Sequence, residues 1–162
     1  MKKRNTPAVP AAANPRKGDP IVSSAHLVSA QSAEMSEFEF GLIVSGNAFH
    51  RWVVNCMTAA GLKELMPLDV LVLHHVTHRA RDKRLSDVCF IMNIEDTHLV
   101  NYSLKKLVNL GVVAASKSGK DVTYASTPEG LAYVQRYREI RERCLIGALK
   151  ADDALNKDIG EL

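Results

Sequence analysis

The chain has 162 residues, of which 46% are hydrophobic and 24% are charged, and its formal net charge is +3. A chain of this length can bury one good hydrophobic core, so we expect one domain with irregular ends and exclude two full-sized domains. It contains no apolar run near the roughly 20 residues that span a bilayer, and no apolar segment typical of a signal peptide. We therefore expect a soluble, cytoplasmic protein without a membrane partner.

The positive charge is concentrated in two segments. Residues 1–33 carry five basic residues and one acidic residue, a net charge of +4, which leaves −1 for the rest of the chain. Residues 79–120 carry eight basic and four acidic residues, a local net charge of +4. Residues 1–33 are also rich in Ala, Pro and Ser without a sustained period, a composition that cannot bury enough surface to offset ordering entropy. We predict a flexible basic tail there.

A long amphipathic helix is predicted over residues 35–60, because apolar residues recur there at spacings of three and four. The stripe consists of Phe38, Leu42, Phe49, Trp52, Val53, Cys56 and Ala60. We expect this helix to end near Gly61. A second helix is predicted to begin at Pro67, a residue that is acceptable at the first helical position, with Asp69 in its first turn, where the helix dipole favours an acid.

A fourth helix, about residues 95–110, follows a short third helix that Ser86 is expected to cap. Glu95 or Asp96 is expected to begin the fourth helix, and Gly111 to end it. Its inward stripe is Val100, Leu104 and Leu107, and its outward residues are Thr97, His98, Asn101, Tyr102, Lys105 and Lys106. Polar groups near the start of a helix, with cations further along, are what a recognition helix needs to contact base edges and phosphates in a major groove.

A hairpin and a fifth helix complete the pattern. The runs VVAAS and VTYAS flank KSGKD, which predicts two short strands with Lys117 and Lys120 at the tip. Ser126 or Thr127 is expected to cap the fifth helix, about residues 127–149. Its stripe consists of Tyr133, Tyr137, Ile140, Cys144 and Ala148. Residues 151–162 form a C-terminal extension for which we expect at most a short helix.

This order of elements is a mainly α fold with a small β-hairpin wing, typical of a winged helix-turn-helix domain flanked by long helices. Residues 35–149 resemble the MarR family of bacterial transcription regulators. The resemblance implies a domain over residues 34–150, with dimerisation helices at about 35–60 and 127–149 and a DNA-binding lobe at about 67–126. It implies a homodimer that binds double-stranded DNA, and a small, often aromatic acid that binds between the lobes and changes the spacing of the recognition helices.

The resemblance assigns two sets of site residues. The dimerisation residues are Phe38, Leu42, Phe49, Trp52, Tyr137, Ile140 and Cys144. The DNA-binding residues are Thr97, His98, Asn101, Tyr102, Lys105, Lys106, Lys117, Lys120, Arg81, Lys83 and Arg84. Members of the family typically carry Asp, Ser, Thr and Arg early in the recognition helix, and only Asp96 is retained here, beside His98, Asn101 and Tyr102. The Asn101 amide suits a bidentate contact with adenine, worth roughly 1 to 3 kcal/mol of discrimination.

Several of these residues have another interpretation. Lys105 and Lys106 fit the solvated face of a helix, and Tyr102 fits packing against the wing. His74 and His78 lie one helical turn apart, with His75 beside them, but this spacing alone is weak evidence for a metal or proton sensor, and we assign no metal site.

The three cysteines, Cys56, Cys89 and Cys144, fit neither a disulfide framework nor a paired zinc motif. Free cysteines of this kind are usually small buried hydrophobes, so we interpret them as reduced thiols and assign no redox role.

Catalysis is not indicated. The sequence has no Gly-rich phosphate loop, GxSxG motif, metalloprotease helix or close carboxylate pair, so we predict no enzymatic activity, no catalytic residue and no cofactor. The alternative to a DNA-binding regulator is a winged-helix module that binds another protein through Tyr102 and its neighbours, since the body is not basic and the wing lacks arginine. Salt distinguishes the two, because phosphate contacts release counterions and an apolar protein contact does not.

Overall fold

The computed structural model describes residues 28–29, 31–147 and 157. The chain divides into two compact units, Met1–Asn47 and Ala48–Leu162. The predicted tail falls almost wholly outside the described residues, as does the predicted C-terminal extension apart from Lys157. None of the helices among the described residues is long and apolar enough to cross a membrane.

The elements follow the predicted order, with one added strand. They are α1 (Ala33–Ala59), α2 (Pro67–Thr77), a 3-10 turn (His78–Ala80), β1 (Lys83–Arg84), α3 (Leu85–Ile91), α4 (Thr97–Asn109), β2 (Val113–Ser118), β3 (Asp121–Ser126), α5 (Pro128–Arg141) and a π-helical turn (Glu142–Ile146). The mainly helical fold with a small sheet is confirmed. Strand β1 was missed because two residues are too few to show a period.

Capping side chains determine where α4 and α5 begin. Asp96 caps α4 as predicted, since its Oδ1 accepts a hydrogen bond from the His98 backbone N–H at 2.9 Å. At α5 the cap is Thr127, whose Oγ1 accepts from the Gly130 N–H at 3.1 Å. The prediction that Ser86 caps α3 is wrong, because Leu85 is already helical and the cap position is taken by Arg84.

The three strands form an antiparallel sheet in the order β1-β3-β2. The predicted hairpin is confirmed, with Val113 opposite Ser126 at its base and Ser118 opposite Asp121 at its tip. Lys83 pairs with Tyr124, which joins the segment after α2 to the hairpin. The sheet therefore includes chain segments from both before and after α4.

The core of the Ala48–Leu162 unit lies between the second half of α1, α2, α4 and the start of the hairpin. Its largest fully buried side chains are Met57, Leu73, Leu104, Leu107, Val53, Val70, Val72, Val76, Val88, Val100, Val112 and Val113. The inward stripe predicted for α4 is confirmed, because Val100, Leu104 and Leu107 are all at 0% exposure. Gly130 lets α5 approach β2 closely, since a Cβ there would overlap the Val112 carbonyl oxygen.

The stripe predicted for α1 is only partly buried. Val53 and Cys56 lie in the core, as does Ala60 just after the helix. Phe38 and Leu42, in the Met1–Asn47 unit, are instead exposed. An apolar period indicates that a face avoids water, but it does not indicate whether the same chain covers that face.

Candidate nucleic-acid interface

The outer face of α4 presents polar and aromatic groups to solvent. Thr97, His98 and Lys105 are exposed and Asn101 is half-buried. Tyr102 is 72% exposed, so the alternative in which it packs against the wing is wrong. The hydrogen bond from the His98 N–H to Asp96 satisfies one of the free donors at the helix start. This face is available to a partner along most of its length.

Lys106 forms hydrogen bonds within the domain and is not free to bind a partner as the rest of this face is. Its Nζ donates to Asp69 Oδ2 at 2.8 Å and to the Glu64 carbonyl oxygen at 2.6 Å. Because the ammonium is engaged inside the domain, the prediction that Lys106 contacts phosphate is wrong. The pairing with Asp69 was missed, since 37 residues separate the two and no local pattern links them.

The basic residues before the wing have different environments. Lys83 is 2% exposed, and its Nζ donates to the carbonyl oxygens of His78 at 2.7 Å and Arg81 at 3.0 Å. The prediction that Lys83 contacts DNA is therefore wrong. Arg81 is exposed. Arg84 is also exposed, and its guanidinium pairs with Asp121 at 3.2 Å, a surface contact of small energetic weight.

The tip of the wing holds cations at a tight turn. Lys117 and Lys120 are exposed on either side of Gly119, which has φ of +62° and so takes the left-handed conformation that favours glycine. Asp121 follows directly and is held by Arg84 across the sheet. The tip therefore offers two mobile point charges suited to phosphate, without the planar fork of arginine.

The predicted dimerisation residues divide into exposed and buried groups. In the Met1–Asn47 unit, Phe38 and Leu42 are exposed. In the Ala48–Leu162 unit, Phe49 and Cys144 are exposed, and Trp52 and Ile140 are half-buried. Tyr137 is corrected: at 6% exposure it lies in the core of its own chain, with its ring edge-on to His74 at a centroid distance of 4.4 Å.

An aromatic pocket of about 390 Å³ opens beside this cluster. It is lined by Phe49, Trp52, Val53, Leu71, His74, Val134, Tyr137, Arg138 and Arg141. The Phe49 ring stacks on the Trp52 ring at a centroid distance of 5.8 Å, and the Trp52 ring lies edge-on to the Tyr137 ring at a centroid distance of 6.1 Å. An apolar body with cations at one side suits an aromatic acid. Sequence reasoning missed Arg138 and Arg141, although their spacing of three on one helix, next to Tyr137, was a usable signal.

His74 has the most perturbed environment in the pocket. Burial lowers the pKa of His74 to about 4, with a smaller contribution from His75. Its Nε2 is buried and has no hydrogen-bond partner among the described residues. Burial also raises the pKa of Tyr137 to about 12. Both rings are therefore neutral near pH 7.

Neither a metal site nor an activated thiol emerges at the cysteines and histidines. Within the part of the chain that the structure describes, no three His, Cys, Asp or Glu residues are placed to hold a metal ion. Cys56 and Cys89 are buried, and burial raises the pKa of each thiol. A raised pKa disfavours the reactive thiolate.

Comparison with protein families gives one match. Residues 65–130 match the family described as winged helix DNA-binding domain. This range runs from the start of α2 to the start of α5 and contains the whole wing. Comparison of the sequence with curated proteins gives no significant match.

Solved structures with the same fold are MarR-family transcriptional regulators. A MarR-family regulator from Rhodococcus sp. RHA1 has a TM-score of 0.61 at 18% identity, with 80% of this chain and 91% of that chain covered. CouR from Rhodococcus jostii RHA1, bound to p-coumaroyl-CoA, has a TM-score of 0.59 at 18% identity, covering 76% and 87%. Staphylococcus aureus MarR, in complex with salicylate and kanamycin, has a TM-score of 0.59 at 13% identity, covering 78% and 87%. The predicted resemblance is confirmed in the fold: this chain carries a winged-helix domain within the MarR-type architecture.

His74 predicts a specific dependence of stability on pH. With a pKa near 6.5 when unfolded and about 4 when folded, the ring binds its proton more readily in the unfolded chain. Its contribution to stability is complete above pH 6.5 and is lost as the pH falls toward 4. His74→Phe keeps the aromatic contact with Tyr137 and removes the titration. Between pH 7.5 and 5.0, the free energy of unfolding should fall by about 2 kcal/mol less in the variant than in the wild type.

Urea denaturation at the two pH values measures this difference. The control is His50→Gln, which removes an exposed histidine and should retain the wild-type dependence. An equal fall for His74→Phe and the wild type would contradict the assignment.

Proposed function

We propose that this chain, which has the fold of the MarR-type regulators, is a homodimeric, sequence-specific DNA-binding transcription regulator without enzymatic activity. The observation that carries the proposal is the outer face of α4, which stays exposed while the opposite face is fully buried in the winged-helix domain. The match of residues 65–130 to a DNA-binding family supports it. A regulator of this bacterial type acts where the DNA lies, in the cytoplasm.

In this proposal α4 enters the major groove and the wing contacts the flanking backbone or minor groove. Asn101 and its neighbours Thr97, His98 and Tyr102 would contact base edges near the helix start. Lys105, at the far end of that face, would contact phosphate. The wing lysines, Arg81 and Arg84 would add backbone contacts, which orient the protein on DNA without specifying sequence.

We propose that α1 provides a dimer surface. Its residues Met35, Phe38, Leu42 and Ile43, all within the Met1–Asn47 unit, are 58–62% exposed. Four large apolar side chains within nine positions of one helix form the kind of patch that marks an interaction site. A second copy of the same helix would cover it, and the dimer would place two recognition helices in successive major grooves about one turn of DNA apart.

We also propose that the aromatic pocket binds an aromatic acid as effector. The stacked rings of Phe49 and Trp52 would hold an aromatic body, and the guanidinium of Arg138 its carboxylate. The salicylate-bound structure of the same fold supports a ligand of this class. His74 Nε2 would supply a hydrogen-bonding group that no described residue uses.

A protein-binding module is the second candidate. Phe90 is 87% exposed on α3, beside Ile91 at 50%, and Leu99 on α4 is 53% exposed. Apolar groups are unexpected on helices that lie against phosphates, and they fit a protein surface better. The DNA measurement below separates the two candidates.

The proposed contacts of α4 with base edges predict that the protein distinguishes between DNA sequences. DNA from upstream of the gene that encodes this protein should bind more tightly than scrambled DNA of equal length, and affinity should fall steeply with salt. Asn101→Ala should reduce that preference by about 1 to 3 kcal/mol per half-site, because it removes a bidentate base contact. Lys105→Gln should instead weaken both DNAs alike and lower the salt slope by about 1 per protomer.

Fluorescence anisotropy over a salt series makes these measurements. Asn55→Ala, the same change at an exposed position of α1, is the matched control and should behave as the wild type. Failure to bind any DNA at low salt would favour the protein-binding module.

If α1 provides the dimer surface, a negative charge introduced on its apolar face should disrupt the dimer. Leu42→Glu should shift the chain from dimer to monomer in analytical ultracentrifugation at micromolar concentration, because the carboxylate would be desolvated in the interface. Asn47→Glu adds the same charge at an exposed polar position of α1 and should remain a dimer. A monomeric wild-type protein would refute the dimer.

The aromatic pocket predicts binding of salicylate. Isothermal titration calorimetry should give one saturable site per chain, and Arg138→Gln should weaken it about tenfold by removing a charge-assisted hydrogen bond. Arg143→Gln, an exposed cation outside the pocket, should leave the affinity unchanged. Equal affinities for Arg138→Gln and the wild type would exclude this orientation of the carboxylate.

A further inference from the structure

A second concave site, the basic cleft, lies at the C-terminal end of α2. It has a volume of about 400 Å³ and is lined by His74, His75, His78, Arg79, Arg81, Lys83 and Ile91. No carboxylate is among these residues. His74 lines both this cleft and the aromatic pocket.

Lys83 is a buried cation that forms no ion pair with any described residue, and the acidic groups that act on its charge, Asp87 and Asp82, do so from a distance. Its Nζ is held by the carbonyl oxygens of His78 and Arg81, which are neutral acceptors. Among the described residues no ion pair to Lys83 is formed within 4.0 Å. Burial, followed by the nearby Arg81, lowers the pKa of Lys83. Lysine is almost never fully buried unless it is paired, so a buried ammonium held only by neutral carbonyl oxygens favours the approach of an anion.

The neighbouring carboxylates are engaged elsewhere. Asp82 accepts from the Thr123 hydroxyl at 3.2 Å, and Asp87 accepts from the Arg84 backbone N–H at 3.0 Å. Asp121 pairs with the Arg84 guanidinium. They offset the charge of the cleft only in part, and none of them lines it.

The walls of the cleft add two unpaired guanidinium groups. Arg79 and Arg81 form no ion pair with any residue that the structure describes. Arg79 has φ of +61°, a left-handed conformation that is costly for arginine and often marks a functional position. The C-terminal end of a helix normally repels anions, because its free carbonyl oxygens carry partial negative charge. At the C-terminal end of α2, the His78 carbonyl oxygen already accepts a hydrogen bond from the ammonium of Lys83, which offsets this repulsion.

We propose that the basic cleft binds the phosphate group of a small phosphorylated molecule, with its charge against Lys83 and its oxygens on Arg79 and Arg81. A phosphate ester carries about −1.5 to −2 charges near pH 7, which suits several converging cations. Arginine matches phosphate oxygens with two parallel hydrogen bonds. The volume lies within the range of small-molecule sites and leaves room for more than the phosphate itself. A DNA phosphate has the same chemistry, but Lys83 is 2% exposed and lines a concavity, so it does not protrude from the protein surface.

Isothermal titration of the full chain with pyrophosphate, without DNA and at low ionic strength, tests the site. The wild type should show one saturable site per chain. The double variant Arg79→Asn with Arg81→Gln should weaken binding about tenfold or more, because it removes both charged donors. Asn tolerates the left-handed conformation at position 79, and Lys83 is left in place, so the fold should be retained. Thermal unfolding checks this.

The matched control is Arg51→Gln with Lys63→Gln, which removes two exposed positive charges outside the cleft. Its affinity should stay within about twofold of the wild type. Equal weakening in both double variants would mean diffuse attraction by surface charge and would overturn the proposal. If the wild type does not bind pyrophosphate while the cleft variant loses DNA affinity, the cleft holds the DNA backbone, and the proposal is again wrong.

Discussion

One buried carboxylate oxygen connects three segments of the winged-helix domain. Asp69 is 2% exposed, and its Oδ2 accepts both the Met66 N–H at 2.8 Å and the Lys106 ammonium at 2.8 Å. The same ammonium donates to the Glu64 carbonyl, so the loop before α2, the first turn of α2 and the end of α4 converge on one ion pair. Removing one partner of such a pair typically costs about 3 to 5 kcal/mol, because the other charge is left buried. The orientation of α4 against the core depends on this contact as well as on the apolar stripe of α4.

Features that depend on neighbouring residues could be predicted from the sequence, whereas contacts between residues far apart in the chain, such as that of Asp69 with Lys106, could not. The start of α2, the approximate bounds of α4, the Asp96 cap and the hairpin follow from residues within one or two turns of each other, so local patterns predict them. Lys83 and Lys106 were assigned to phosphate because charge patterns indicate solvent, whereas the acceptors that hold Lys106 lie about 40 residues earlier in the chain. Tyr137 was placed on the correct stripe but with the wrong partner, since a period does not distinguish the core of one chain from an interface between two.

Helix α2 is the element through which the proposed activities would communicate. Its first turn holds the Lys106 contact, and its last turn carries His74, which lines both the aromatic pocket and the basic cleft. Thr77, at its end, shares a 2.6 Å hydrogen bond with Ser126 at the base of the wing. A ligand in either site would therefore act on a helix that is attached to both α4 and the wing, the two elements proposed to contact DNA. For this coupling to regulate DNA binding, the ligand must bind more tightly to one arrangement of those elements than to another.

The π-helical turn after α5 rotates the side chains that follow it around the helix axis, relative to an uninterrupted α-helix. A turn closed by hydrogen bonds from residue i to i+5 uses about one residue more than an α-helical turn, and is equivalent to inserting one residue into an ordinary helix. One residue corresponds to about 100° of rotation, since an α-helix has 3.6 residues per turn. Tyr137 and Ile140 precede the turn and are buried or half-buried, whereas Cys144 lies within Glu142–Ile146 and is exposed. Alignments that treat this helix as uninterrupted would therefore compare side chains on different faces, and a single gap placed in this turn would restore the register.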